Sequence, residues 1–135
     1  MKKTRGYASS TLLAAVLMLH LTGCSPGGIA TYPTSGKVTY TDGSPVTGGL
    51  IIFADSEQNI SSEGVIESDG SYYMGTYSGD DGVPQGNYQV TIQGFSEYGK
   101  QSQIAGKFAN RERTPLEAKV EGANSSLDFQ VERAR

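Results

Sequence analysis

The stretch Asn87-Tyr88-Gln89-Val90-Thr91-Ile92-Gln93 alternates polar and apolar residues without a break. Successive side chains of a strand point to opposite faces, so Tyr88, Val90 and Ile92 share one face and Asn87, Gln89, Thr91 and Gln93 the other. The same period of two recurs on both sides. Towards the C-terminus, Leu116, Ala118 and Val120 face in against Glu117, Lys119 and Glu121; Gly122-Ala123-Asn124 turns the chain; Leu127, Phe129 and Val131 then face in against Asp128, Gln130 and Glu132. Towards the N-terminus, Ser71 to Tyr77 sets Tyr72 and Met74 against Tyr73, and Asp69-Gly70 is a hairpin signal joining it to Gly64–Ser68. Leu50 to Ala54 is a short apolar run that suits a strand covered on both faces or near an edge. Val38 and Tyr40 alternate with Lys37, Thr39 and Thr41 ahead of an Asp42-Gly43-Ser44-Pro45 turn. Ser56–Ser62 is expected as a polar loop and Gly79–Gly86 as an irregular one, rich in Gly and Pro. Phe95–Thr114 is a long connection with a helical turn over Ile104–Ala109. Seven strands in about 100 residues, with frequent turn signals, predict an all-β, seven-stranded antiparallel β-sandwich. A closed barrel is the alternative, and the long crossover fits a sandwich better.

Composition agrees. Of 135 residues, 18 are Gly, 8 Tyr and none Trp; the glycine share is roughly twice the usual 7% or so. That suits short strands and tight turns. Lys2, Lys3 and Arg5 open the chain, and Ala8–Thr22 is mostly apolar but interrupted by Ser9, Ser10, Thr11 and His20. About 20 apolar residues are needed to span a bilayer as a helix, so this shorter stretch reads as the apolar region of a signal peptide. Leu21-Thr22-Gly23-Cys24 resembles the lipobox of bacterial lipoproteins. The resemblance implies a diacylglyceryl group on the Cys24 sulfur and cleavage between Gly23 and Cys24. Small Thr22 and Gly23 let the backbone enter a narrow protease site, and Cys24, the chain's one cysteine, supplies the thiol. Ser25 follows; by resemblance to lipoprotein sorting, a residue other than Asp there favours the outer membrane. The expected organisation is a signal peptide over 1–23, a flexible Pro/Gly/Ser/Thr tether over 24–34 and one sandwich domain over 35–133.

Removing residues 1–23 from 135 leaves 112, enough for one core without staples. It also takes the basic residues from 11 to 8 against 14 acidic ones, a net −6. No basic stripe remains for nucleic acid or for anionic lipid. The expected partners are a membrane, through the lipid on Cys24, and an envelope protein or polysaccharide.

Ser35-Gly36-Lys37-Val38-Thr39-Tyr40, the Asp42–Pro45 turn and Gly48-Gly49-x-Ile51-x-Phe53 resemble the start of carboxypeptidase-regulatory-like domains, which are transthyretin-like sandwiches. Ser68-Asp69-Gly70-Ser71-Tyr72, Gly75-Thr76-Tyr77 and Gly82-x-Pro84-x-Gly86-x-Tyr88-x-Val90 continue the likeness, and Lys107-Phe108-Ala109-Asn110 with Thr114-Pro115-Leu116 ends it. The set resembles short bacterial lipoproteins built from one such domain. It implies a transthyretin-like or Ig-like Greek-key architecture and brings no catalytic residue. The family often carries proline before the Lys-Phe pair; Ile104-Ala105-Gly106 stands there instead, which implies a looser crossover.

The one histidine is His20, inside the signal peptide. With no histidine and no thiol but Cys24 beyond it, His-based triads, Cys–His dyads and His/Cys zinc sites are excluded. The expectation is a non-catalytic protein without cofactor or metal. Asp80-Asp81 in its Gly-rich loop offers too few oxygens for Ca²⁺ and reads as turn chemistry. Lys37 and Asp128 are the nearest candidates for an isopeptide bond, but the alternation turns both outward. Exposed aromatics are the binding hint: Tyr73, Phe95 and Tyr98 are the candidate ligand-binding residues, through stacking on sugar rings or seating a protein partner. The two readings are therefore a membrane-anchored binding or structural module of the cell envelope, and a carbohydrate-binding module using exposed tyrosines.

Overall fold

The computed structural model describes residues 28–95, 102–122 and 125–135. The expected signal peptide over 1–23, Cys24 and Tyr98 lie outside the described residues. Among the described residues ten strands are present: β1 (Thr31–Tyr32), β2 (Thr34–Tyr40), β3 (Gly49–Asp55), β4 (Ile60–Ile66), β5 (Ser71–Tyr73), β6 (Val83–Pro84), β7 (Gly86–Gly94), β8 (Glu117–Val120), β9 (Ser125–Ser126) and β10 (Phe129–Val131). A 3-10 turn covers Gly106–Ala109, inside the helical turn expected from the sequence.

The strands form a β-sandwich. The hydrogen-bonded path runs β10-β2-β5-β4-β3-β7-β8, with β9 also on β2 and a separate β1–β6 pair. The step from β4 to β5 is thin, with Ile66↔Tyr72 and an isolated Glu63↔Gly75 bridge, and there the path folds over. Phe53 on β3 consequently meets Phe129 on β10 edge-on, ring centroids 5.9 Å apart, across the core. Val38, Ile51, Phe53, Tyr72, Met74, Val90, Ile92 and Val131 are fully buried; alternation predicts these apart from Ile51 and Phe53, whereas Leu116 and Leu127, expected inward, are only partly buried and Thr91, expected outward, is buried. Burying each large apolar side chain is worth about 1.5–3 kcal/mol, and together they offset chain entropy.

Several details differ from the sequence reading. All seven expected strands form, but three two-residue strands, β1, β6 and β9, join them. The pairing is not wholly antiparallel: β2 runs parallel to both β9 and β10. Ile60–Ser62 belongs to β4 rather than to a loop, because it pairs with Phe53–Asp55. Val83–Pro84 is regular despite its Gly-rich surroundings, since it pairs with Thr31–Tyr32; ordered pairing thus begins at Thr31, ahead of the expected Ser35 boundary. The described part of the crossover is docked rather than loose. Ile104 and Phe108 are buried, the Ala105 N–H donates to the Glu132 carbonyl, and the Thr114 hydroxyl donates to the Val90 carbonyl at 2.7 Å. Two buried apolar side chains and these hydrogen bonds do what proline would have done through backbone stiffness.

Two tyrosines in the core carry a pH dependence. The Tyr72 hydroxyl donates to the Leu127 carbonyl at 2.5 Å and that of Tyr88 to Pro84 at 2.8 Å. Burial pushes the Tyr88 phenol up to about 12, helped by the Asp55 carboxylate and by Tyr77, and burial pushes Tyr72 upward too. A raised folded-state pKa stabilises fully below the ordinary value of 10.0 and stops stabilising as pH climbs through the folded value. Urea unfolding midpoints should therefore fall as pH climbs from 10 to about 12, and Tyr88→Phe should make that fall shallower. A fall of unchanged steepness in the variant would contradict the assignment.

Candidate functional site

The outer face of β3–β4–β5 holds an open groove of about 510 Å³, closed at one end by the Gly75–Gly82 loop. Strand alternation builds its floor. Ile51, Ile66 and Tyr72 turn inward, which leaves Leu50, Val65 and Tyr73 on the outer face. Val65 is 51% exposed and Tyr73 63%, both high for large apolar side chains. Tyr77 from the loop, 57% exposed, adds a second aromatic wall.

The loop is held by hydrogen bonds from both its own residues and β4. The Asp81 carboxylate accepts from the backbone N–H groups of Thr76 at 2.7 Å and of Tyr77 and Ser78, each at 3.2 Å. The Thr76 hydroxyl donates to the Gly82 carbonyl at 2.6 Å, so in its 2.7 Å contact with Ser62 the Ser62 hydroxyl is the donor. Gly75 exchanges two backbone hydrogen bonds with Glu63. Asp81 is thereby committed to shaping the loop, while Asp80 is exposed and faces the groove. The other acidic turns behave alike. Ser44 donates its hydroxyl and backbone N–H to Asp42, and Ser71 does the same to Asp69; these bonds hold both carboxyls below the usual carboxylate range.

Glu63, Glu67 and Asp80 line the groove, and no lysine or arginine among the described residues does. Tyr73 also borders two smaller depressions of about 290 and 270 Å³, so its ring stands as a ridge between three concave surfaces. The lining thus offers aromatic faces for stacking and carboxylate oxygens as acceptors, with neither thiol nor imidazole.

The sequence-derived candidates do not assemble into one site. Tyr73 is in the groove. Phe95 is 67% exposed but does not line the groove: it follows Gly94 on β7, and the row Tyr72↔Ile66↔Gly49↔Gly94 puts it three strand steps across the sheet from Tyr73. Tyr98 lies outside the described residues. Tyr77 was missed, although the alternation that turns Tyr73 outward, continued through Gly75, puts Tyr77 on the same face. Lys37 and Asp128 do come together, but the Asp128 carboxylate accepts from the Lys37 backbone N–H at 2.8 Å and both side chains are exposed.

No family model matches the chain, and no curated protein matches it. Among solved structures, it is similar to the crystal structure of BcpA, the major pilin subunit of Bacillus cereus, with a TM-score of 0.51 and 13% identity. The match covers 78% of this chain and 31% of that one, so this chain spans about a third of the pilin's length. At that identity the likeness is one of fold: both contain the same kind of β-sandwich.

Proposed function

We propose that this protein is a non-catalytic lipoprotein of the bacterial cell envelope, resembling the short lipoproteins with a carboxypeptidase-regulatory-like domain. It is anchored by a lipid on Cys24, at the outer membrane, and binds an envelope partner through the groove beside Tyr73. The observation that carries the binding half is the aromatic groove, which leaves Tyr73 largely in water although its strand neighbours Tyr72 and Met74 are fully buried. The anchoring half is supported by the order of Lys2, Lys3 and Arg5, the apolar stretch and Leu21-Thr22-Gly23-Cys24. More than one acyl chain makes such an anchor stable. That a sandwich of this kind occurs in a pilin subunit is compatible with a structural rather than enzymatic role.

Anchoring is tested by detergent phase partition: Cys24→Ser should move the protein from the detergent to the aqueous phase, and an unmoved protein would refute the anchor. A polysaccharide ligand is the second reading, favoured by the two exposed rings of Tyr73 and Tyr77 that line the groove. In the water-soluble Cys24→Ser form, Tyr73→Ala should abolish retention on envelope polysaccharide if the groove stacks sugars. Retention that persists removes that reading, and in-cell crosslinking then identifies a protein partner.

A further inference from the structure

The chain entering the sandwich is strapped to one end of it. β1 pairs antiparallel with β6, Thr31 with Pro84 and Tyr32 with Val83. Gly82 sits at φ +93°, and a Cβ there would overlap the Tyr32 carbonyl, so glycine is what lets the strap lie this close. Upstream, the Ile29 N–H donates to the Tyr77 hydroxyl at 3.2 Å, and Gly28 packs beside the Tyr77 ring. Ile29 nevertheless remains 52% exposed, beside the exposed Tyr77 ring.

The strapped end is well defined. β2 starts there, with Thr34 beside Ser125, and runs to Tyr40 beside Val131 at the far end. The Glu67–Ser71 hairpin turn, the Asp42–Pro45 turn and the C-terminus cluster at that far end, where Arg133 lies over the Tyr40 ring and donates to Ser44.

We infer that the strap determines which end of the domain meets the membrane, with Ile29 and Tyr77 resting in the headgroup layer of a lipid surface. The inference rests on the proposed lipid at Cys24. Cys24 precedes Gly28 by four positions, and an extended chain covers at most about 3.6 Å per residue, so the anchor lies within about 14 Å of Gly28. A free tether over the whole of 24–34 would reach roughly 40 Å by the same rule and would leave the domain's orientation open. Tyrosine, with an apolar ring and a polar tip, suits the headgroup layer. Glu63, Glu67 and Asp80 in the adjoining groove favour zwitterionic over anionic headgroups.

The chain contains no tryptophan, so a single introduced one reports its own position. The full lipidated protein carrying Ile29→Trp, Tyr77→Trp or Ser68→Trp is reconstituted into phosphatidylcholine vesicles whose acyl chains are brominated near the headgroup. Ser68 is exposed in the far hairpin turn. Tryptophan at positions 29 and 77 should lose most of its emission and at 68 should lose none. Ile29→Trp keeps the Tyr77 hydroxyl in place, so the result does not depend on the loop tolerating Tyr77→Trp. Equal quenching at all three positions, or none at 29 and 77, in protein that floats with the vesicles overturns the orientation alone. Protein that does not float overturns the lipid anchor, and the orientation with it.

Discussion

Phe53→Ala should destabilise the domain by about 3–5 kcal/mol, read as a shift in the midpoint of urea unfolding. Phe53 is fully buried at the middle of β3, and β3 lies between β4 and β7. Its ring meets Tyr88 at 5.9 Å in its own layer and Phe129 at 5.9 Å across the core; Phe129 in turn meets Tyr72 at 6.4 Å. Truncation removes the transfer energy of a large side chain and leaves a void that two neighbouring rings fill poorly. Domains of this size have about 5–15 kcal/mol in total, so the variant should be close to unfolding. Phe53→Leu, which keeps most of the volume, should lose much less. Similar losses for both would mean that the two layers do not meet at this ring.

Gly75→Ala should cost about 1–3 kcal/mol and should also dismantle the groove. A Cβ on Gly75 would overlap the Gly79 carbonyl, which is backbone and has no rotamer by which to withdraw. Either the loop from Thr76 to Asp81 moves out, losing the Asp81 hydrogen bonds, or Gly75 leaves its paired bonds with Glu63. Both routes detach Tyr77 from the Gly28–Ile29 strap. Limited proteolysis should therefore cut within residues 76–82 in the variant and not in the native protein. An uncut, equally stable variant would show that the loop does not close over Gly75. Asp81→Asn keeps one acceptor oxygen and turns an amide N–H₂ toward the remaining N–H groups, so this variant should be cut faster than the native protein but more slowly than Gly75→Ala, whose backbone overlap it lacks.

Much of the fold was legible because burial on one face of a strand imposes a period of two on the sequence. Tyr88, Val90 and Ile92, and likewise Phe129 and Val131, declare their face with no knowledge of their neighbours. The short strands were not legible. Two-residue segments such as Thr31–Tyr32 and Val83–Pro84 are too short to show a period, and what makes them strands is a partner far along the chain, Pro84 for Thr31 and Val83 for Tyr32. Parallel pairing of β10 with β2 was equally hidden, since alternation specifies a face and not a neighbour or a direction.

The candidate site divides in the same way. Sequence alone turned Tyr73 away from Tyr72 and so put one aromatic ring in solvent. It also excluded histidine and thiol chemistry from the domain, because residue types need no coordinates. Only the tertiary structure separated Phe95 from Tyr73, since the strand order sets β4 and β3 between β5 and β7. It was also the tertiary structure that brought Tyr77 and the Gly28–Tyr32 strap together, through Asp81 drawing three backbone N–H groups into one turn. Periodicity is local and survives in a single strand, whereas grooves and straps arise from contacts between distant segments that no single segment encodes.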